Sequence, residues 1–305
     1  MTTAPRLLLV HAHPDDESSQ SAATMARYVA EGAQVTLVTC TLGEYGDVVH
    51  PDLAHVKNPE LLGAHRLGEL NQAMAALGVT DFIRLGGDGT YHDSGHHTEE
   101  GTPWQIFPAP DRPENAFWDA DLHEAALHLV ATLRDRRPHV LVTYNPYGGY
   151  GHPDHIQAHR VAMYAVQLAG VASYRPDLGE AWSVPRVLWG TFCAEDWALA
   201  AKLAKEAGLD LGWSIPEETD EESPVPPMVA RRRDLAAHVS TGPWLEQQRA
   251  ALRAHKSQVD LGDPFWAMMT ADPHPEMLGE SYLLAAGRPT NGLATDIFEG
   301  LDLTH

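Results

Sequence analysis

The chain holds only two cysteines in 305 residues, Cys40 and Cys193, too few for a disulfide framework. Both sit in apolar surroundings, "VTLVTCT" and "WGTFCA", and read as small buried core residues. No stretch approaches the roughly 20 apolar residues that a membrane-spanning helix needs. The opening run "RLLLV" is too short for a secretory leader and passes straight into polar residues, so a cytoplasmic protein is the expectation. Positive charge is also scarce: 21 Lys and Arg stand against 42 Asp and Glu, a formal net charge of −21. Such a balance repels nucleic acid phosphates and anionic membranes, and excludes both as main partners. What remains is a globular composition, 44% hydrophobic and 21% charged, long enough to bury a large core. Histidine is in surplus at 18, which raises the expectation of a metal site.

The first half alternates strand and helix. "RLLLVH" (6–11) is a continuous apolar run of the kind found in strands buried on both faces of a parallel sheet. Ser18 or Ser19 is placed to cap a helix through "SAATMARYVAEG" (21–32), which Gly32 closes. Further strands are expected at 34–41, 82–87 and 139–145, and further helices over 62–78, within 119–138 and from 152. Between 86 and 116 a loop rich in Gly, Pro and His intervenes. This order predicts an α/β fold, a doubly wound, mostly parallel, Rossmann-like sheet with right-handed crossovers. From about 171 the pattern is less regular. "RVLWGTF" suggests one more strand, "AEDWALAAKLAKEAG" a helix, "PEETDEESPVPP" an exposed acidic loop, and "TGPWLEQQRAALRAHKSQV" a helix capped by Thr241. The chain reads as one domain, 1–305, with an α/β core over 1–170 and a C-terminal extension over 171–305 that shapes the pocket.

In doubly wound folds ligands bind beyond the carboxyl ends of the strands. Two clusters fall there: "HAHPDDES" (11–18) after the first strand and "YGGYGHPDH" (147–155) after the fourth. His13 and Asp16 are three apart in a turn stiffened by Pro14, and can converge on one ion. A catalytic zinc site usually needs three protein ligands, and His152 and His155 offer the third. Asp15 and Asp16 can divide the labour, one carboxylate on the metal and one facing water, but spacing does not say which. His11, at the end of a buried strand, reads as a core or supporting residue.

These two clusters, with "LVTCTLGEYGDV" after the second strand, "HRLGEL" (65–70), "LGGDGTYHDSG" (85–95), "RPHVLVTYNP" (137–146) and "ATDIFEGL" (294–301), resemble the LmbE-like (PIG-L) family of zinc-dependent N-acetylglucosaminyl deacetylases. The resemblance covers most of the chain and is weakest over about 170–240. It implies Zn²⁺ held by His13, Asp16 and His155, with Fe²⁺ the alternative in cells. It further implies Asp15 as the general base and His152 as general acid or oxyanion stabiliser, protonated and oriented by Asp154. Tyr150 would polarise the substrate carbonyl, and Arg66 and Asp93 would hold sugar hydroxyls. The implied partner is a small-molecule N-acetylglucosaminyl conjugate. The implied reaction removes the 2-acetamido group of N-acetylglucosaminyl-inositol as acetate, in mycothiol biosynthesis. The alternatives are a mycothiol S-conjugate amidase and a deacetylase of another N-acetylglucosaminyl conjugate. Two positions depart from the pattern: Asn145 stands where aspartate is expected, and Tyr147 replaces a smaller polar residue and could narrow the pocket mouth.

A non-catalytic glycan- or metal-binding protein on this scaffold would have no use for the base Asp15. A nucleotide-binding protein would need a glycine-rich phosphate loop after the first strand, and none is there.

Overall fold

The computed structural model describes residues 4–99, 105–206, 225–260, 262–263, 266 and 279–304. Its strands are β1 (Arg6–His11), β2 (Gln34–Thr39), β3 (Asp81–Arg84), β4 (His96–Thr98), β5 (Ile106–Pro108), β6 (Val140–Thr143), β7 (Arg186–Cys193), β8 (Val229–Ala230), β9 (Ala237–Val239) and β10 (Glu280–Gly287). Its helices are α1 (Asp16–Gln20), α2 (Ala22–Ala30), α3 (Pro59–Leu77), α4 (Leu122–Arg136), α5 (Pro153–Ala169), α6 (Ala194–Glu206) and α7 (Leu245–Ala254). The main sheet runs β3-β2-β1-β6-β7-β10-β9, and β8 pairs the end of β7. From β3 to β7 every pairing is parallel, while β10 is antiparallel to both β7 and β9. The sheet is therefore the doubly wound, mostly parallel one that the alternating pattern predicts. The chain winds outward from β1 through β2 to β3, then returns to start β6 on the other side of β1. That reversal, between β1 and β6, is the switch point where such sheets open a crevice at their carboxyl edge.

Side chains alternate across β1. Leu7 and Leu9 enter a core with Met25, Tyr28, Leu70 and Met74, beneath α2, α3 and α7. Leu8 and Val10 enter the opposite core with Leu129, Val130 and Val161 of α4 and α5. The first of these cores also holds Tyr282 and Ile297 from the C-terminal part. The buried guanidinium of Arg186 donates to the carbonyls of Arg288, Pro289, Ile297 and Glu299, fixing the last segment beside β7. Cys40 and Cys193 are both buried and free. Among the described residues no helix is long and apolar enough to cross a membrane.

Some local expectations change. The first helix breaks at Ser21, giving α1 and α2, and neither Asp15 nor Ser21 makes a side-chain cap. Thr241 makes none either, and a 3₁₀ turn over Gly242–Trp244 precedes α7. The loop after β3 carries the β4–β5 hairpin, and two antiparallel strands, β9 and β10, extend the sheet beyond "RVLWGTF". The acidic stretch expected over 216–227 lies outside the described residues as far as 224.

Candidate active site

Both motif clusters open into the switch-point crevice. After β1 the chain turns tightly, and Asp16 Oδ2 accepts the backbone N–H of His13 at 2.9 Å. After β6 the chain passes Gly148, Gly149 and Gly151, all with positive φ, and enters α5. The glycine at 148 is obligatory: a Cβ there would lie 2.7 Å from the Ile156 nitrogen and 2.9 Å from His155 Cβ. Asn145 orders this loop, accepting the N–H groups of Tyr147 and Gly149 at Oδ1 and donating from Nδ2 to the Pro227 carbonyl at 2.7 Å. An aspartate could accept the same two N–H groups but could not make the Pro227 bond. Tyr147 packs on Gly151 and does not line the cavity described below.

Three donors converge. His13 Nδ1 lies 3.3 Å from His155 Nε2 and 3.5 Å from Asp16 Oδ2, and His155 Nε2 lies 3.3 Å from Asp16 Oδ1. A tetrahedral ion with donors at about 2.0–2.2 Å spaces them about 3.3–3.6 Å apart, and each of these three contacts, two of them on different Asp16 oxygens, has that spacing. His155 Nδ1 faces the Gly148 carbonyl at 3.2 Å, and its ring stacks on Tyr144 at 4.3 Å, which fixes the ring and leaves Nε2 free as a ligand. Gln20 Nε2 donates to Asp16 Oδ1 at 3.3 Å. Electrostatics point the same way. Burial opposes ionisation of Asp16, but the charge of His155 and hydrogen bonds from both histidines hold it well below the usual carboxylate range. Burial likewise opposes a proton on His13, yet the Asp93 charge and bonds to Asp154 and Asp16 raise it well above the ordinary value. The cluster draws positive charge into a buried position, which is what a cation would supply. Two further groupings could hold a metal, His13 with His152 and His155, and His13 with Asp93 and Asp154; the second meets the opposite ring nitrogen, His13 Nε2 lying 3.2 Å from Asp154 Oδ2 and 3.6 Å from Asp93 Oδ1.

Two orienting roles differ from those the resemblance implies. The Asp154 carboxylate turns to His13, not to His152, and also accepts Ser94 N–H at 2.8 Å and Ser94 Oγ–H at 2.5 Å. Asp154 is the second helical residue after the cap His152, and residues two apart on a helix do not face one another. His152 receives instead the backbone N–H of Asp154 on Nδ1, at 3.1 Å. Burial, then the neighbouring His13 and His155, push its proton affinity well below the ordinary value. With Nδ1 accepting that N–H, a neutral His152 would carry its proton on Nε2. Arg66 is buried in the fold, donating to Gly43 O at 2.6 Å, Pro14 O at 2.5 Å and Asp15 Oδ2 at 2.9 Å. Asp93 accepts from the backbone of Gly95 and Tyr45. Neither Arg66 nor Asp93 lines the cavity.

A cavity of about 520 Å³ opens on the cluster, lined by Asp15, Asp16, His155 and Tyr150 and by the aromatic Phe192 and Trp197. Its size suits a small glycoconjugate. Asp15 faces it with its proton affinity pushed up to about 6, by burial first, against the lowering pull of Arg66. Tyr150 is 43% exposed, its ring edge against His155. Glu17, Gln20, Ser94 and Tyr144 escaped the sequence reading. Glu17, Ser94 and Tyr144 lie inside quoted motifs, but none carries a spacing signal of its own.

The chain matches the family described as PIG-L: GlcNAc-PI de-N-acetylase over residues 8–166. A protein of Nocardioides sp. named 1D-myo-inositol 2-acetamido-2-deoxy-alpha-D-glucopyranoside deacetylase is 49% identical, with 99% of this chain and 100% of that one covered. One of the same name from Geodermatophilus obscurus is 48% identical, with 99% of each chain covered. Among solved structures, the N,N'-diacetylchitobiose deacetylase from Pyrococcus horikoshii superposes with a TM-score of 0.60 at 16% identity, over 92% of this chain and 84% of that one, a likeness of fold. On these matches the chain belongs to the PIG-L family of de-N-acetylases.

Proposed function

We propose that the chain hydrolyses the 2-acetamido group of 1-O-(2-acetamido-2-deoxy-glucopyranosyl)-myo-inositol, giving acetate and the free amine. The observation that supports this reading is the meeting of His13 Nδ1 and His155 Nε2, 3.3 Å apart, with the two Asp16 oxygens at 3.5 and 3.3 Å, where Asp15 and Asp16 line the cavity. The names and full-length coverage of the similar proteins support the substrate. The whole chain is read as one deacetylase domain, because residues of the C-terminal part share a core with β1 and line the cavity.

His13, Asp16 and His155 would hold the metal, zinc in this reading. When bound, zinc supplies a Lewis acid for the amide carbonyl and acidifies water. Asp15, with a proton affinity near neutrality, takes the proton from water on its carboxylate and delivers it to the departing amine nitrogen. Arg66, 2.9 Å from Asp15 Oδ2, leaves the other oxygen for that exchange. As the carbonyl oxygen gains negative charge, the Tyr150 hydroxyl, which lines the cavity, would donate to it, with His152, packed against His13 and His155, as the second candidate donor. The Tyr150 phenol is protonated at neutral pH and able to donate. Water oxygen joins the acyl carbon, the C–N bond breaks, and the proton from water ends on the amine.

The test compares acetate release from N-acetylglucosaminyl-inositol with cleavage of a mycothiol S-conjugate by the zinc-loaded protein. Faster release of acetate is expected; faster conjugate cleavage would overturn the substrate assignment.

A further inference from the structure

Asp15 has φ 102° and ψ −29°, a left-handed backbone that a residue with a side chain keeps only when its surroundings enforce it. Its carbonyl accepts the N–H groups of Ser18 and Ser19, both at 3.0 Å. Its own N–H donates to Glu17 Oε2 at 2.9 Å. Glu17 is fully buried, and its other oxygen receives Ser18 Oγ–H at 2.6 Å and His255 Nε2–H at 2.7 Å. His255 follows the last residue of α7, 238 positions from Glu17, and is also fully buried. Its Nδ1 meets no hydrogen-bond partner among the described residues. An unpartnered ring nitrogen in the interior is costly, and an apolar side chain would fill the space without it. The retained group is the Nε2–H, and it is aimed at the carboxylate that holds Asp15. Ser18 and His255 leave Glu17 one oxygen pointing at the strained peptide.

We infer that His255, acting through Glu17, is a positioning residue: it fixes the backbone of Asp15 so that the carboxylate faces the reacting water. The competing account is that the pair merely braces α7 against α1. The inference rests on Asp15 being the general base, so Asp15→Asn is measured beside it.

The experiment uses the full-length, zinc-loaded protein with N-acetylglucosaminyl-inositol as substrate. For His255→Met, kcat should fall about tenfold or more while KM and the zinc content stay within about twofold. His255→Gln keeps an N–H near the place of Nε2 and should bring kcat back to within about threefold of the parent. In an Asp15→Asn background, His255→Met should reduce the residual rate no further, because what it positions is gone. A His255→Met protein within about threefold of the parent kcat, or a Gln variant no better than Met, would overturn the inference. If His255→Met does not fold, Glu17→Gln replaces it. Its amide can accept on only one oxygen, and a kcat loss at unchanged KM is again expected, with unchanged kcat the overturning result. If Asp15→Asn retains parental turnover, the reading of the base falls and the inference with it. If Asp15→Asn is inactive and His255→Met is fully active, only the positioning role fails.

Discussion

Replacing Asp154 by asparagine separates the observed geometry from the pairing that the family resemblance implies. Asp154 Oδ2 accepts both Ser94 N–H and His13 Nε2–H, and Oδ1 accepts Ser94 Oγ–H. In Asp154→Asn the amide oxygen can take the place of Oδ2, and the amide nitrogen then meets Ser94 Oγ, which already accepts Trp118 N–H at 2.8 Å. Shape and hydrogen bonding are nearly kept, while the charge is lost. A hydrogen bond to a charged group is worth about 1.5–3 kcal/mol against about 0.5–1.5 for a neutral one. Support for His13 should therefore weaken by roughly 1–2 kcal/mol, which lowers metal affinity about fivefold to thirtyfold. Proton competition works the other way, because removing the anion also lowers the proton affinity of His13. The loss should thus be smallest in acid and widen as pH rises. Zinc competition against a chelating dye across that pH range, with folding followed by circular dichroism, measures it. Unchanged zinc affinity together with a displaced pH profile of kcat would refute the reasoning and return Asp154 to His152.

Gly148→Ala should cost about 1–2 kcal/mol for its left-handed backbone alone. Its Cβ also drives into the backbone of Ile156 and into His155, so zinc affinity should drop more than about tenfold. Gly149→Ala, with a similar φ and nothing within 4 Å, should keep zinc, and equal losses in the two variants would contradict the contact argument. Arg186→Met leaves four carbonyls without their buried donor and should lower unfolding free energy by about 3–5 kcal/mol in urea titrations; a loss under about 1 kcal/mol would mean that water replaces it. Burial raises the Glu280 carboxyl to about 7, against hydrogen bonds from Ala23 and Thr24 that oppose the rise. With the folded value above the unfolded 4.5, its contribution is complete below pH 4.5 and is lost as pH climbs to about 7. Glu280→Gln should flatten that fall in stability between pH 5 and 8 whatever its absolute stability, and an unaltered slope would assign the titration elsewhere.

What could be read along the chain depended on how local each determinant is. The strands β1, β2 and β6 announce themselves as apolar runs because both their faces are buried. β9 has three residues, and β10 is a half-exposed antiparallel strand, so neither carries a period strong enough to name it. Strand position offered His13 with Asp15 or Asp16, and His152 or His155, as candidate donors on one sheet edge, and the resemblance alone chose Asp16 and His155 among them. The partners that fix protonation and orientation obey no such rule. Arg66 reaches Asp15 from 51 residues away, Ser94 reaches Asp154 from 60, and His255 reaches Glu17 from 238. Chain proximity even misleads, as Asp154 sits two residues from His152 yet is turned by the first turn of α5 towards His13, 141 residues distant. Residue type and spacing therefore narrow the candidates, whereas the contacts that orient those groups exist only after the chain has folded. His152 illustrates the difference: the motif makes it a candidate acid, while its buried place beside two other histidines lowers its proton affinity.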